Sequence, residues 1–162
     1  MEPRWITERI AIAIHEEAIA RFGGAQGLRD QGLLISALNR PRQLYDYGDA
    51  PVLASMAGAL CGVLVRNHPF VDGNKRSALL CARAFLFLNG HAFEPSEADE
   101  VEMLVALATG RANEEMAAEW FRRGSTPAKA SPVKASPAKR LKAPPKKRKQ
   151  PPRPTPRAAR RT

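Results

Sequence analysis

From Ser125 to Thr162 the chain has no acidic residue and no aromatic one. That stretch also holds nine of the 14 prolines. With few apolar side chains it cannot bury enough surface to offset the entropy of ordering, so residues 125–162 read as a disordered tail. Cysteine is scarce: Cys61 and Cys81 are the two in 162 residues. Both sit among apolar neighbours, which excludes a disulfide framework or a zinc site and points to a reducing, cytoplasmic compartment. No apolar run reaches the roughly 18–20 residues of a membrane span. The N-terminus lacks a charged region followed by an unbroken apolar stretch, so no secretory signal and no membrane partner are expected. Lysine is almost missing from the first 124 residues, where Lys75 stands alone and every other cation is arginine.

What is present divides in two. Residues 1–124 carry 13 Lys+Arg against 16 Asp+Glu, a net of −3, whereas the tail carries 13 cations, for +10 in all. The first part contains every aromatic residue and is long enough to close one core but not two. Its hydrophobic spacing is helical throughout. Thr7 is placed to cap a helix running to about Phe22, with Gly23-Gly24 as its stop. Asp30 caps a short helix that holds Leu33, Leu34, Ala37 and Leu38 and is expected to end before Pro41. Tyr45–Ala50 reads as a loop, and Pro51 suits the first turn of a helix that runs to about Asn67. That helix is apolar nearly all round, as is the next, Asn74 to Leu88, so both belong at the centre. Further helices fit Glu97–Thr109 and Asn113–Arg123, with a brief extended piece at His91–Phe93. No alternating strand series is present, so the class is all-α.

The most informative segment is His68-Pro-Phe-Val-Asp-Gly-Asn-Lys-Arg76, a polar loop between the two most apolar helices. Gly73 permits a positive φ. The N–H groups of residues 73–76 open a helix, and two cations at that end conflict with the helix dipole unless an anion is bound; a polyphosphate fits best. Asp72 beside phosphates is the usual arrangement for Mg²⁺. His68 can take a proton from an attacking hydroxyl near neutral pH. Phe70 points down as the apolar anchor. Singly, each residue has an ordinary use as a cap, a turn or a solvated face. Together they supply a base, a metal ligand and stabilisers of oxyanion charge, the requirements of phosphate-ester transfer.

These nine residues resemble the signature loop of the Fic/Doc superfamily, in the form found in death-on-curing (Doc) toxins. Ile14–Ala18, Gly27–Leu34, Phe85–Gly90 and Leu107–Gly110 with the closing helix also resemble Doc-type segments, so the likeness covers nearly all of residues 1–124 and none of the tail. It implies a compact all-helical bundle with the loop at its centre. It also implies a toxin of a toxin–antitoxin pair that transfers the γ-phosphate of ATP to a threonine of elongation factor Tu and halts translation. By position His68 is then the general base and Asp72 the Mg²⁺ ligand. Gly73, Asn74, Lys75 and Arg76 bind the phosphates, and Phe70 holds the loop. Lys75 stands where adenylylating Fic proteins usually have Gly, and Leu79 where they have a second Arg. Both departures match the Doc form, with AMP transfer as the alternative chemistry. Arg83, seven residues after Arg76, is either a partial substitute for that Arg or a plain surface residue. The string Ser96–Glu100 fails the internal-inhibitor pattern at Val101, so control is expected from a separate antitoxin whose disordered segment folds into a groove. Arg29 and Asp30 are either a flap over the target or the capped start of a helix.

The tail supports a rival class, a nucleic-acid-binding protein. The repeat Thr126-Pro-Ala-Lys129, Ser131-Pro-Val-Lys134, Ser136-Pro-Ala-Lys139 resembles linker-histone-like tails. Thirteen cations without aromatic interleaving fit phosphate-backbone attraction rather than base stacking. Non-specific nucleic-acid contact by residues 125–162, and with it association with the nucleoid, would add to the enzymatic reading. Pro144–Lys149 looks like an import signal, a pattern that any Lys/Arg/Pro-rich tract generates.

Overall fold

In the computed structural model, residues 2–48 and 52–128 are described. Six helices account for most of them: α1 (Glu8–Phe22), α2 (Gln31–Tyr47), α3 (Leu53–Asn67), α4 (Asn74–Leu88), α5 (Glu97–Ala108) and α6 (Glu114–Gly124). Two three-residue strands, β1 (His91–Phe93) and β2 (Ser125–Pro127), complete the set. The starts follow local chemistry. Thr7 accepts from the Ile10 N–H at α1, Asp30 from Leu33 at α2, Ser96 from Asp99 at α5 and Asn113 from Met116 at α6. Each cap satisfies one of the N–H groups that a helix start leaves without a partner.

The centre is α3. Ten of its 15 residues are buried, and it is covered by α2, α4 and α6. Leu60 and Leu64 of α3 meet Phe85 and Leu86 of α4 and Phe121 of α6 in one continuous core. Full burial of a side chain of this size is worth about 1.5–3 kcal/mol, and α3 and α4 supply many of the core residues, so the loop that joins them is held at both ends by the core. Cys61 and Cys81 lie inside it as free thiols, and burial pushes both up to about 12. They are inert at physiological pH. Among the described residues, no helix is long and apolar enough to cross a membrane.

Two boundaries and one side-chain role differ from the sequence expectation. α2 does not stop before Pro41 but continues through it to Tyr47, so Tyr45 and Asp46 are helical rather than part of a loop. Proline costs a backbone bond at that point, but Pro41 is buried and Leu44 and Tyr45 beyond it pack on the core. Tertiary burial outweighs the local penalty. The folded unit also runs past the change in composition at Gly124. Ser125–Pro127 pairs antiparallel with His91–Phe93, and Ala128 N–H donates to Gly90 O at 2.8 Å. Pro127 is tolerated because β2 is an edge strand. The expected disorder of the remaining tail falls on residues 129–162, outside the described residues, as does Pro51. Finally, Arg83 belongs neither to the loop nor to free surface. Its Nε donates to Phe93 O at 3.2 Å and its Nη2 pairs with Glu100 at 2.6 Å, so it ties α4 to β1 and α5.

Candidate active site

The loop from His68 to Gly73 begins with a backbone that costs energy. His68 closes α3 at φ 47° and ψ 56°, the single left-handed non-glycine residue among those described. Such a residue carries about 1–3 kcal/mol of strain and persists where its surroundings over-determine it. Arg29 supplies much of that constraint. Its Nε donates to His68 O at 2.7 Å and its Nη2 to Asn67 O at 2.8 Å. A cation thus sits on the last carbonyls of α3, where the helix dipole favours it. The chain beside it completes the hold: Arg29 and Asp30 N–H both donate to Pro69 O, and Val71 N–H donates to Gly27 O. Arg29 therefore serves the loop backbone, and Asp30 is the cap of α2. Residues 27–30 lie antiparallel on the loop through the Leu28–Phe70 bridge.

The inner side of the loop is closed by Asn74. Its Oδ1 accepts from Phe70 N–H and its Nδ2 donates to Phe70 O, both at 2.9 Å and both buried. The sequence groups Asn74 with the phosphate binders, but its amide is committed to the loop's own backbone, which leaves only its main-chain N–H for an anion. Phe70 is 2% exposed and anchors the loop as expected. It lies flat against His15 of α1, with ring centroids 4.0 Å apart.

The outer side is polar. His68, Asp72, Lys75 and Arg76 are all exposed. Asp72 Oδ1 accepts from Gly73 N–H at 2.6 Å and Oδ2 from Ala25 N–H at 3.2 Å. These two N–H groups, with Arg76 and His15 nearby, hold its carboxyl below the usual range, so it is an anion at neutral pH. The Gly73 N–H, which sequence reasoning assigns to phosphate, is taken by Asp72. Gly73 itself is at φ 66° and starts α4 without a side-chain cap. The first helical bond runs from Ser77 N–H to Gly73 O at 2.9 Å. The N–H groups of Asn74, Lys75 and Arg76 consequently point out of the helix start, where anions are favoured. Neither Lys75 nor Arg76 is in an ion pair among the described residues. The Arg76 guanidinium lies 4.5 Å over the Phe22 ring, a contact that positions the cation without neutralising it.

Sequence reasoning missed three contributors. Gly24 was read only as a helix stop, yet a Cβ there would sit 2.7 Å from Asp72 Oδ2, so its absence makes room for the carboxylate. Ala25 offers a main-chain N–H, which no sequence pattern marks. His15 could have been noticed as a histidine on the apolar face of α1. The donor set for a cation is one carboxylate, and no cluster of three or more His, Cys, Asp or Glu exists among the described residues. A single anionic carboxylate beside a helix start with free N–H groups cannot form a cage built wholly of protein, and it would fit Mg²⁺ only where phosphate oxygens supplied most of the ligands.

The segment that carries this loop is similar in sequence to known proteins. The family model described as the Fic/DOC family matches residues 5–86, which include the whole loop. The chain is 31% identical over 121 residues to the "Protein kinase doc" of Escherichia phage P1, covering 74% of this chain and 94% of that protein. It is 47% identical over 70 residues to the "Toxin Doc" of Mycolicibacterium smegmatis, covering 43% of this chain and about half, 54%, of that protein's length.

Proposed function

The chain belongs to the Fic/DOC family, and we propose that it is a Doc-type toxin kinase that moves the γ-phosphate of ATP to a protein hydroxyl. By resemblance the acceptor is a threonine of elongation factor Tu, and the outcome is arrest of translation in the cytoplasm. The observation that carries this reading is the pairing of an exposed, strained His68 with an unneutralised helix start at Lys75 and Arg76 across one short loop. The relative named as a protein kinase supports the choice of phosphate over AMP.

The γ-phosphate would lie on the Asn74, Lys75 and Arg76 N–H groups, with both cationic side chains around its oxygens. His68 takes the proton from the target hydroxyl as its oxygen attacks phosphorus. The bond between that oxygen and the γ-phosphorus forms, the bond to the bridging oxygen breaks, and ADP leaves with the electron pair. Lys75 and Arg76 neutralise charge that grows on the phosphoryl and leaving oxygens. Asp72 would hold Mg²⁺, which when bound offsets the charge of the phosphates. Regulation would come from an antitoxin whose disordered segment folds into a groove of the bundle. The charge of the tail favours an added activity: 13 cations without one acid suit non-specific contact with nucleic acid, and so with the nucleoid.

The test is transfer of label from γ-labelled and α-labelled ATP to purified elongation factor Tu, with His68→Ala as the control. Label from the γ position alone supports the kinase. Label from the α position means AMP transfer, and no transfer from either refutes the reading.

A further inference from the structure

The imidazole of His15 is the buried titratable group beside the loop to which the chemistry above assigns no task. It is 2% exposed. Its ring stacks on Phe70 at 4.0 Å with planes 5° from parallel. Its Nδ1 is 3.1 Å from Ser77 Oγ, and its Cε1 is 4.0 Å from where a Cβ on Gly73 would sit. One side chain of α1 therefore touches the loop's anchor and the first turn of α4, and lies beside the space above the glycine that opens α4. Those contacts bracket the segment that carries Asp72.

The other ring nitrogen is informative. Nε2 is buried and has no hydrogen-bond partner among the described residues. An unpaired buried polar atom costs free energy, and a residue used only to fill space would leave none. The use of this ring therefore lies in what Nδ1 holds. Orphaned donors are rarer than orphaned acceptors, so by this argument the proton sits on Nδ1 and is donated to Ser77 Oγ, with Nε2 bare. Burial lowers the pKa of His15, which keeps the ring in the neutral form that this single donated N–H requires.

We propose that His15 is a positioning residue of the site, whose Phe70 stack and Nδ1–H bond to Ser77 together hold residues 70–73 in register with the start of α4. It acts through the loop, not on the substrate: it sets where Asp72 and His68 stand relative to the phosphate-binding N–H groups. The proposal deepens the phosphotransfer reading and rests on it.

The experiment compares the full chain with His15→Gln, His15→Phe, Ser77→Ala and the double variant His15→Phe/Ser77→Ala. Two measurements are made on each: γ-phosphate transfer to elongation factor Tu with ATP binding alongside, and amide hydrogen exchange. A displacement of about 1 Å can cost up to about 100-fold in rate, so kcat is expected to fall about tenfold or more in His15→Gln. The Kd for ATP should stay within about threefold, because Lys75 and Arg76 project from α4 outside the loop. His15→Phe and Ser77→Ala remove the same bond, so the double variant should be no worse than either single one. Amides of residues 70–77 should exchange about tenfold faster in His15→Gln while those of α6 are unchanged. Unchanged kcat and exchange overturn the proposal, as does loss of protection spread equally over α3 and α6, which is plain core damage. If the unmodified chain transfers no γ-phosphate, the phosphotransfer reading fails and exchange alone decides: local loosening at residues 70–77 upholds the positioning role, and none overturns it.

Discussion

Replacing Asn74 by alanine separates two roles that the sequence merges. The side chain makes two buried bonds of 2.9 Å to Phe70, one to its N–H and one to its carbonyl. Alanine leaves both groups without a partner in an interior position, since Phe70 and Asn74 are both buried. Each orphaned group costs about 1–3 kcal/mol. Local relaxation and water entry put the pair in the lower half of the summed range, about 2–4 kcal/mol. For a folded unit of this size 1 kcal/mol corresponds to about 3–5 °C, so the midpoint should fall by about 6–20 °C. Urea unfolding of the full chain followed by tryptophan fluorescence measures this directly, because Trp5 and Trp120 both pack against the core. Asn74→Asp is the control: it keeps the acceptor but sets a carboxylate oxygen against the Phe70 carbonyl, and it should lose stability as well. ATP affinity of the alanine variant, measured below its midpoint, should change by much less than in variants of Lys75 or Arg76. The reasoning is refuted if Asn74→Ala loses less than about 0.5 kcal/mol of stability, or if its main effect is on ATP binding.

His68→Ala should abolish growth arrest on expression with the midpoint nearly unchanged, because loss of a general base costs about 10²–10⁴ in rate; full arrest by this variant removes His68 from the role. Lys75→Ala and Arg76→Ala should each weaken ATP binding by about 1–3 kcal/mol in calorimetric titration, while the ligand-free protein becomes slightly more stable as repulsion with the helix dipole is relieved. Burial depresses the pKa of His15, so the unfolded chain binds its proton first and stability falls as pH drops below about 6.5; chemical unfolding across pH 7 to 5 should show that slope reduced in His15→Phe. Truncation after Ala128 rather than Gly124 keeps β2 and should leave a folded, active domain that has lost most nucleic-acid affinity. For the full chain, engagement of half the 13 tail cations gives a slope of log K against log[salt] of about −5 to −6 in gel-shift titrations, and equal affinity of both proteins refutes the electrostatic account.

The helical class, the central pair of helices and the position of the loop were legible in the sequence because they rest on short-range rules. The apolar periodicity of residues 53–67 and 74–88, the caps Thr7 and Asp30, and the glycine at 73 each act within a few residues of themselves. The nine-residue loop also stood out in the sequence, since two cations at a helix start conflict with the helix dipole unless an anion is bound. The passage of α2 through Pro41 and the pairing of Ser125–Pro127 with His91–Phe93 were not legible, because each depends on a surface supplied by distant residues. The same holds inside the site. Whether Asn74 faces a phosphate or the loop backbone, whether Arg29 reaches a target or the end of α3, and what His15 touches are set by neighbours across the fold, up to 62 residues away for His15 and Ser77. Residue type and spacing determined the helices and the family to which the loop points. Only the tertiary structure decided which side chains of the loop are exposed and which hold its backbone in place, because side-chain direction depends on packing between helices and spacing along one helix does not encode it.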